Sequence, residues 1–179
     1  MEYKSLYESP VGTIILTSDG EELTGLWFTT SRFIALREIK KEQLKDEFEI
    51  FKITKDWLNR YFRKEHPDPN DIPIKLEGTT FSKKVWEILK TIPYGKTVTY
   101  GEIARKIALE NNLKKMSSQA VGHAIGYNPI SIIIPCHRVI GANGNLTGYG
   151  GGLDVKIGLL KHEEVNTNEF YKPKKGNAL

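Results

Sequence analysis

The 179-residue chain is poor in sulfur nucleophiles, with Cys136 its single cysteine. That scarcity excludes an internal disulfide and any cysteine-rich structural zinc site, and it fits a reducing cytoplasm. If the thiol has a chemical role, it acts alone. Met1-Glu2-Tyr3-Lys4 leads straight into charged and turn residues, with no basic stretch followed by an apolar run, so secretion is not expected. No apolar segment is long enough to cross a bilayer, so a membrane is not expected as a partner. Nor is an amino-terminal zinc expected, because that part has no cysteine and His66 stands alone. No metal or cofactor is therefore implied. What is present is an ordinary globular composition, 39% hydrophobic and 10% aromatic, enough to bury one substantial core or two small ones. A net charge of +4 and a pI of about 9.0 favour contact with a polyanion, although charge alone is a weak discriminator.

The fold class expected is α+β. Tyr3 to Ser9, Thr13 to Thr17 and Leu23 to Phe28 are rich in β-branched and aromatic residues, and Asp19-Gly20 supplies a hairpin turn, so a small antiparallel sheet is predicted. From Phe51, the positions Phe51, Thr54, Trp57, Leu58, Tyr61 and Phe62 recur at helical spacing and predict one aromatic face laid on that sheet. The run His66-Pro67-Asp68-Pro69-Asn70-Asp71 interrupts regular structure and marks a boundary, after which Ile72, Ile74 and Leu76 alternate like a linking strand. The expected domains are 1–75, an amino-terminal sheet with helix; 76–165, a helical domain carrying the cysteine; and 166–179, a basic tail of a composition that stays disordered.

In the second domain Thr79-Thr80 caps a helix with Phe81, Val85, Trp86 and Leu89 on one face, ending at Pro93-Tyr94-Gly95. A second helix carries Tyr100, Ile103, Ala104 and Ile107 in phase. A third runs from Ser117 or Ser118 to Asn128-Pro129, and two short helices across a turn suggest a helix-turn-helix. On the third helix Val121, Ala124 and Ile125 form an apolar stripe, while Gln119, Gly122, His123 and Gly126 fall on the opposite side. Such a nearly bare face suits close approach to a surface without reading base edges, which would need several Arg, Asn or Gln side chains. The alternative is that Gly122 and Gly126 simply permit close helix packing.

Ile132-Ile133-Ile134 reads as a short buried strand that delivers Pro135-Cys136-His137-Arg138-Val139 at its end. A lone cysteine there is most often a small core residue. Histidine beside it changes the reading, because the thiolate is the nucleophile and an imidazole can accept the thiol proton or stabilise the anion. Adjacent side chains on an extended strand point apart, so the proton path requires a local turn or an intervening water. A carboxylate should orient the ring.

The run Asn128-Pro129-Ile130-Ser131-Ile132-Ile133-Ile134-Pro135-Cys136-His137-Arg138-Val139-Ile140-Gly141 closely resembles the active-site segment of the methylated-DNA protein-cysteine methyltransferases, the O6-alkylguanine-DNA alkyltransferase family. Gly95 to Ala104, Ala120-Val121-Gly122, Thr147 to Gly152 and Leu159 to Glu163 resemble family segments in the same order, so the likeness is strong from about Thr79 to Glu164. It implies a ribonuclease H-like amino-terminal domain and a winged helix-turn-helix-like carboxy-terminal domain. It implies Cys136 as the alkyl acceptor, His137 as its activator through water, Glu163 as the carboxylate completing the relay, and Tyr100 as the proton donor. Asn128 is the implied turn residue holding the helix against the cysteine segment. Tyr149 with Gly150 and Gly151 matches the loop closing over the base, and Ser131 and Val139 line the expected pocket. Ser118, Gln119, Ala120, Gly122, His123 and Arg138 are the expected DNA contacts. Each has a plainer reading: Tyr100 as core, Asn128 as a helix stop, Glu163 as a solvated carboxylate.

The chemistry implied is irreversible transfer of a methyl or larger alkyl group from O6 of guanine, with O4-alkylthymine as a further substrate left open, onto Cys136. The protein would act once, as a monomer, on a base flipped from duplex DNA bound through the minor groove. The family carries an arginine where this chain has Gln119, and a small residue where it has His123. Two rivals remain: a non-catalytic lesion binder, against which Cys136 itself stands, and a cysteine hydrolase, for which no oxyanion hole or separate histidine is signalled.

Overall fold

In the computed structural model, residues 2–31 and 44–172 are described. The chain divides into two compact units, one comprising Met1–Leu76 with Pro129–Ile133, the other Glu77–Asn128 with Ile134–Leu179. The short piece Pro129–Ile133, expected in the second domain, thus groups with the first.

The first unit is built on β1 (Tyr3–Ser9), β2 (Gly12–Ser18) and β3 (Leu23–Phe28), in that spatial order and antiparallel throughout. The β2–β3 turn is fixed locally. Asp19 Oδ1 accepts the amides of Glu21 and Glu22 at 3.1 and 3.0 Å, and Gly20 takes φ 112°, which a residue with a Cβ resists. Ile14, Ile15 and Leu16 of β2 are all buried, so the central strand is covered on both faces. Helix α1 (Glu49–Phe62) buries Ile50, Phe51, Thr54, Trp57, Leu58 and Tyr61 and packs on β1 and β2. The free edge of β3 is closed by two short visitors. Leu23 pairs with Ile74, through Leu23 N to Pro73 O at 2.9 Å, and Leu26 pairs with Ile130, through Leu26 N to Pro129 O at 2.9 Å and Ser131 N to Leu26 O at 3.0 Å. The linking strand expected at Ile72, Ile74 and Leu76 is therefore a single bridge at Ile74.

In the second unit α2 (Thr80–Lys90), α3 (Tyr100–Glu110) and α4 (Ser118–Gly126) pack against one another, and α5 (Leu153–His162) follows the cysteine segment. Each of α2, α3 and α4 starts on a hydroxyl cap. Thr79 accepts from Ser82 N, Ser117 from Ala120 N, and Thr99 forms a capping box with Glu102. Trp86 Nε1 donates to Ala124 O at 2.9 Å, tying α2 to α4. Two residues on either side, β4 (Val98–Thr99) and β5 (Val139–Ile140), pair in parallel and set the start of α3 beside the cysteine segment. The molecule is thus α+β, with an antiparallel sheet in one unit and mostly helices in the other. Among the described residues no helix is long and apolar enough to cross a membrane.

Two expectations are corrected. Ile132-Ile133-Ile134 is buried but is a turn, not a strand: Ile132 takes φ 67°, and Ile133 N bonds back to Ser131 O at 2.8 Å. A β-branched residue at positive φ is costly, and full burial of all three side chains offsets it. Part of the expected tail is also regular, since Thr167–Glu169 forms a single helical turn and Tyr171 pairs with Asn145. The tail beyond Lys172 lies outside the described residues.

Candidate active site

The turn through Pro135 continues into one helical turn, Cys136–Arg138. This curls the chain so that neighbouring side chains no longer alternate across a strand. Cys136 is 8% exposed. Asn128, itself buried at the end of α4, donates from Nδ2 to Ile134 O at 2.8 Å and lies 3.1 Å from Cys136 Sγ. One amide therefore anchors the backbone of the cysteine segment and the sulfur together. Burial pushes the Cys136 thiol up, and the Asn128 amide, the Lys156 charge and the Tyr149 hydroxyl act in the opposite sense. The sulfur rests as a thiol.

His137 is fully buried and turns its ring away from solvent, Nε2 lying 2.7 Å from Glu163 Oε1. Glu163 caps the end of α5 and is held from several sides. Arg138 Nε and Nη2 reach its two oxygens at 2.9 Å each, and Gly95 N donates to Oε2 at 3.0 Å. Burial tends to raise the Glu163 carboxyl, but the hydrogen bonds from His137 and Arg138 and the Arg138 charge outweigh it and hold the group ionised, well below the usual carboxylate range. For His137, burial outweighs Glu163 and lowers the pKa, so the imidazole is neutral. A neutral ring with Nε2 against an ionised carboxylate carries its proton on Nε2. Nδ1, which makes no protein hydrogen bond among the described residues, is left as a base.

Arg138 is therefore not a surface contact. It is 8% exposed, with Nη1 on Ile92 O at 2.6 Å and its guanidinium 5.8 Å from the Tyr94 ring centre, and its role is that of counter-ion to Glu163. An unpaired buried carboxylate would be costly, and this is the physical reason the arginine turns inward. Gly95 makes its amide bond from φ 70°, and a Cβ there would come within 2.9 Å of Glu163 O.

Tyr100, the first residue of α3, sits by the sulfur. Burial raises its pKa, a thiolate at Cys136 would raise it further, and the Thr147 hydroxyl opposes them. The phenol stays protonated. Val139 is fully buried in β5. Tyr149 and Gly150 are half-buried and Gly151 is buried, in the loop that leads into α5. Ser131 is buried within the first unit. On α4, Ser118, Gln119, Ala120 and His123 are exposed. Gly122, expected on that face, is buried with Val121, Ala124 and Ile125. The exposed face is thus less bare of side chains than the sequence pattern implied, with His123 against Tyr127 at 4.7 Å between ring centres.

One residue of the site was not anticipated. Lys156 of α5 is fully buried, and its ammonium donates to Val139 O at 2.6 Å and Thr147 O at 3.1 Å. Burial pushes its pKa down to about 8, and a thiolate at Cys136 would oppose that. The signal was present in the spacing, since Lys156 shares its helical stripe with the apolar Leu159 and Leu160.

Residues 80–165 match the family described as 6-O-methylguanine DNA methyltransferase, DNA binding domain, and residues 2–76 match its ribonuclease-like domain. The chain is 42% identical over 163 residues to a methylated-DNA protein-cysteine methyltransferase of Haemophilus influenzae, covering 91% of this chain and 87% of that one. It is 45% identical over 165 residues to one of Methanosarcina acetivorans, covering 90% and 97%. The solved structure of Mycobacterium tuberculosis OGT in complex with DNA superposes with a TM-score of 0.72 at 39% identity, covering 94% of both chains. Similarity of this extent, across both units and around a buried cysteine with an oriented histidine, shows that the chain belongs to the methylated-DNA protein-cysteine methyltransferase family.

Proposed function

We propose that this protein repairs duplex DNA by moving the alkyl group of O6-alkylguanine onto Cys136, once per molecule. The observation that carries the reading is the Glu163–His137 pair at 2.7 Å beside a buried thiol, with Nδ1 of the ring left as the base. The Cys136 proton passes to Nδ1 through a bridging water as the substrate arrives. The thiolate then attacks the alkyl carbon in line, forming an S–C bond while the C–O6 bond breaks and its electron pair stays on guanine. Tyr100, kept protonated by burial, donates to the anion that develops on the base. The imidazolium proton restores the phenol through water, and the products are neutral guanine and a thioether. A thioether has no ordinary route back to a thiol, so each molecule acts once.

The target must leave the stack, at a cost of a few kcal/mol. Exposed Ser118, Gln119, Ala120 and His123 on α4 form the DNA face, with Gln119 entering the gap from the minor groove. Binding of this kind is largely independent of sequence and weakens steeply with salt. The protein acts as a monomer in the cytoplasm.

Intact-mass measurement after incubation with O6-benzylguanine, and separately with methylated duplex DNA, tests the reading. One alkyl adduct per chain, absent from Cys136→Ser, is expected. Binding of the DNA without an adduct would instead mark a lesion-binding protein, and turnover of esters or peptides a hydrolase.

A further inference from the structure

The segment that follows α5 folds back onto the loop ahead of the substrate-facing residues. Tyr171 N donates to Gly144 O at 3.0 Å, and Leu146 N donates to Tyr171 O at 2.9 Å. The fit is close. Gly144 has φ 78°, and a Cβ on it would stand 2.5 Å from Glu169 O and 3.3 Å from the Phe170 ring. Phe170 and Val165 pack on the buried cluster Ile140, Leu146 and Leu160, and Lys172 reaches Asp154 at the start of α5 at 2.7 Å.

What lies beyond Leu146 is the site. The next residue, Thr147, gives its carbonyl to the Lys156 ammonium at 3.1 Å, and Tyr149, two residues on, comes near enough to Cys136 to act on its thiol. Lys156 ties the same loop to β5 through Val139 O. The loop thus has one anchor inside the site, the Lys156 ammonium, and one outside it, the Tyr171 backbone. A loop already fixed at Gly144, Leu146 and Thr147, directly ahead of Tyr149, loses little freedom when a ligand enters.

We infer that residues 166–172 are a positioning element for the substrate loop, with the Tyr171–Gly144 backbone pair holding Thr147 and Tyr149 in register over Cys136. Activity enters this inference through the alkyl-transfer reading above, whereas the brace itself is independent of it.

The test uses the full-length chain with Tyr171→Pro, which removes the N–H donor, and Tyr171→Ala, which keeps it. Phe170 already has φ −101° and ψ 147°, the conformation a following proline requires. A chain ending at Val165 is the second disruption, should the proline variant fail to fold. Hydrogen exchange is read at the amides of residues 144–152, and single-turnover labelling by O6-benzylguanine is resolved into half-saturating concentration and maximal rate. In Tyr171→Pro and in the shortened chain, exchange across the loop accelerates and the half-saturating concentration rises on the order of tenfold, with the maximal rate nearly unchanged, because the loop holds the base and the sulfur does the chemistry. Tyr171→Ala matches the unaltered protein in both. Unchanged exchange, unchanged half-saturation, or equal damage from Tyr171→Ala would each overturn the inference. If the unaltered protein takes no benzyl group while the exchange pattern follows expectation, the alkyl-transfer reading fails and the brace stands.

Discussion

Glu163 accepts from three side groups and a backbone amide at once, so its replacement disturbs more than a proton relay. Glu163→Gln leaves Arg138 buried without its counter-ion, and a loss of about 3–5 kcal/mol is expected in denaturant unfolding. The single-turnover rate on O6-benzylguanine falls about 10- to 100-fold, as the ring loses the partner that fixes its tautomer. Lys156 is a separate case with the opposite sign. Its pKa drops from 10.5 to about 8 on folding, so between those values the unfolded chain holds a proton that the folded chain has released. The stability contribution of Lys156 therefore rises with pH across that window, by up to about 1.4 kcal/mol per unit, and below it the folded protein bears the full cost of a buried charge. Unfolding of the unaltered protein and Lys156→Met, compared from pH 7 to 10, should show the difference moving in favour of the lysine as pH rises. Gln119 is exposed and can hydrogen-bond an orphaned base, but it lacks a guanidinium's charge and stacking plane. Gln119→Arg should raise the single-turnover rate on duplex DNA while leaving the rate on free O6-benzylguanine alone, and an equal or lower duplex rate counts against the base-flipping role.

At the scale of elements, the helix starts are the clearest case of local chemistry deciding structure. Thr99→Ala removes the hydroxyl that accepts Glu102 N and half of the capping box, and it should cost about 1 kcal/mol, measured as a shift in the urea midpoint with an unchanged slope. The three strands, the aromatic face of α1 and the stripes of α2 to α4 were legible in the sequence for the same reason: periodicity and caps act over a few residues. What could not be read there depends on distant partners. Ile132 to Ile134 has the composition of a strand, and only the turn geometry after Ile130 meets Leu26 decides otherwise. β4 and β5, two residues each, are too short to carry a pattern. In the site, Cys136 and His137 were visible as adjacent letters. Arg138 was misread because its buried acceptor lies 25 positions away, and Lys156 was passed over because a lysine on an apolar stripe usually snorkels to water.

For the molecule as a whole, the product of the proposed reaction is the protein itself in altered form. Cys136 is buried, and the Asn128 amide lies 3.1 Å from its sulfur. A methyl group added there should cost about 1–3 kcal/mol, so the alkylated protein melts below the free one in paired thermal scans, and equal midpoints would argue for room that the buried thiol does not suggest.

The pairing of Leu26 with Ile130 also bears on how the chain is made. A ribosome delivers β3 long before Pro129–Ile133 leaves the exit tunnel, so the nascent sheet waits with part of its rim unsealed while about 100 further residues of polypeptide emerge. Stalled or cleaved in that interval, the fragment presents a sticky border to its neighbours, and chaperone dependence should concentrate there.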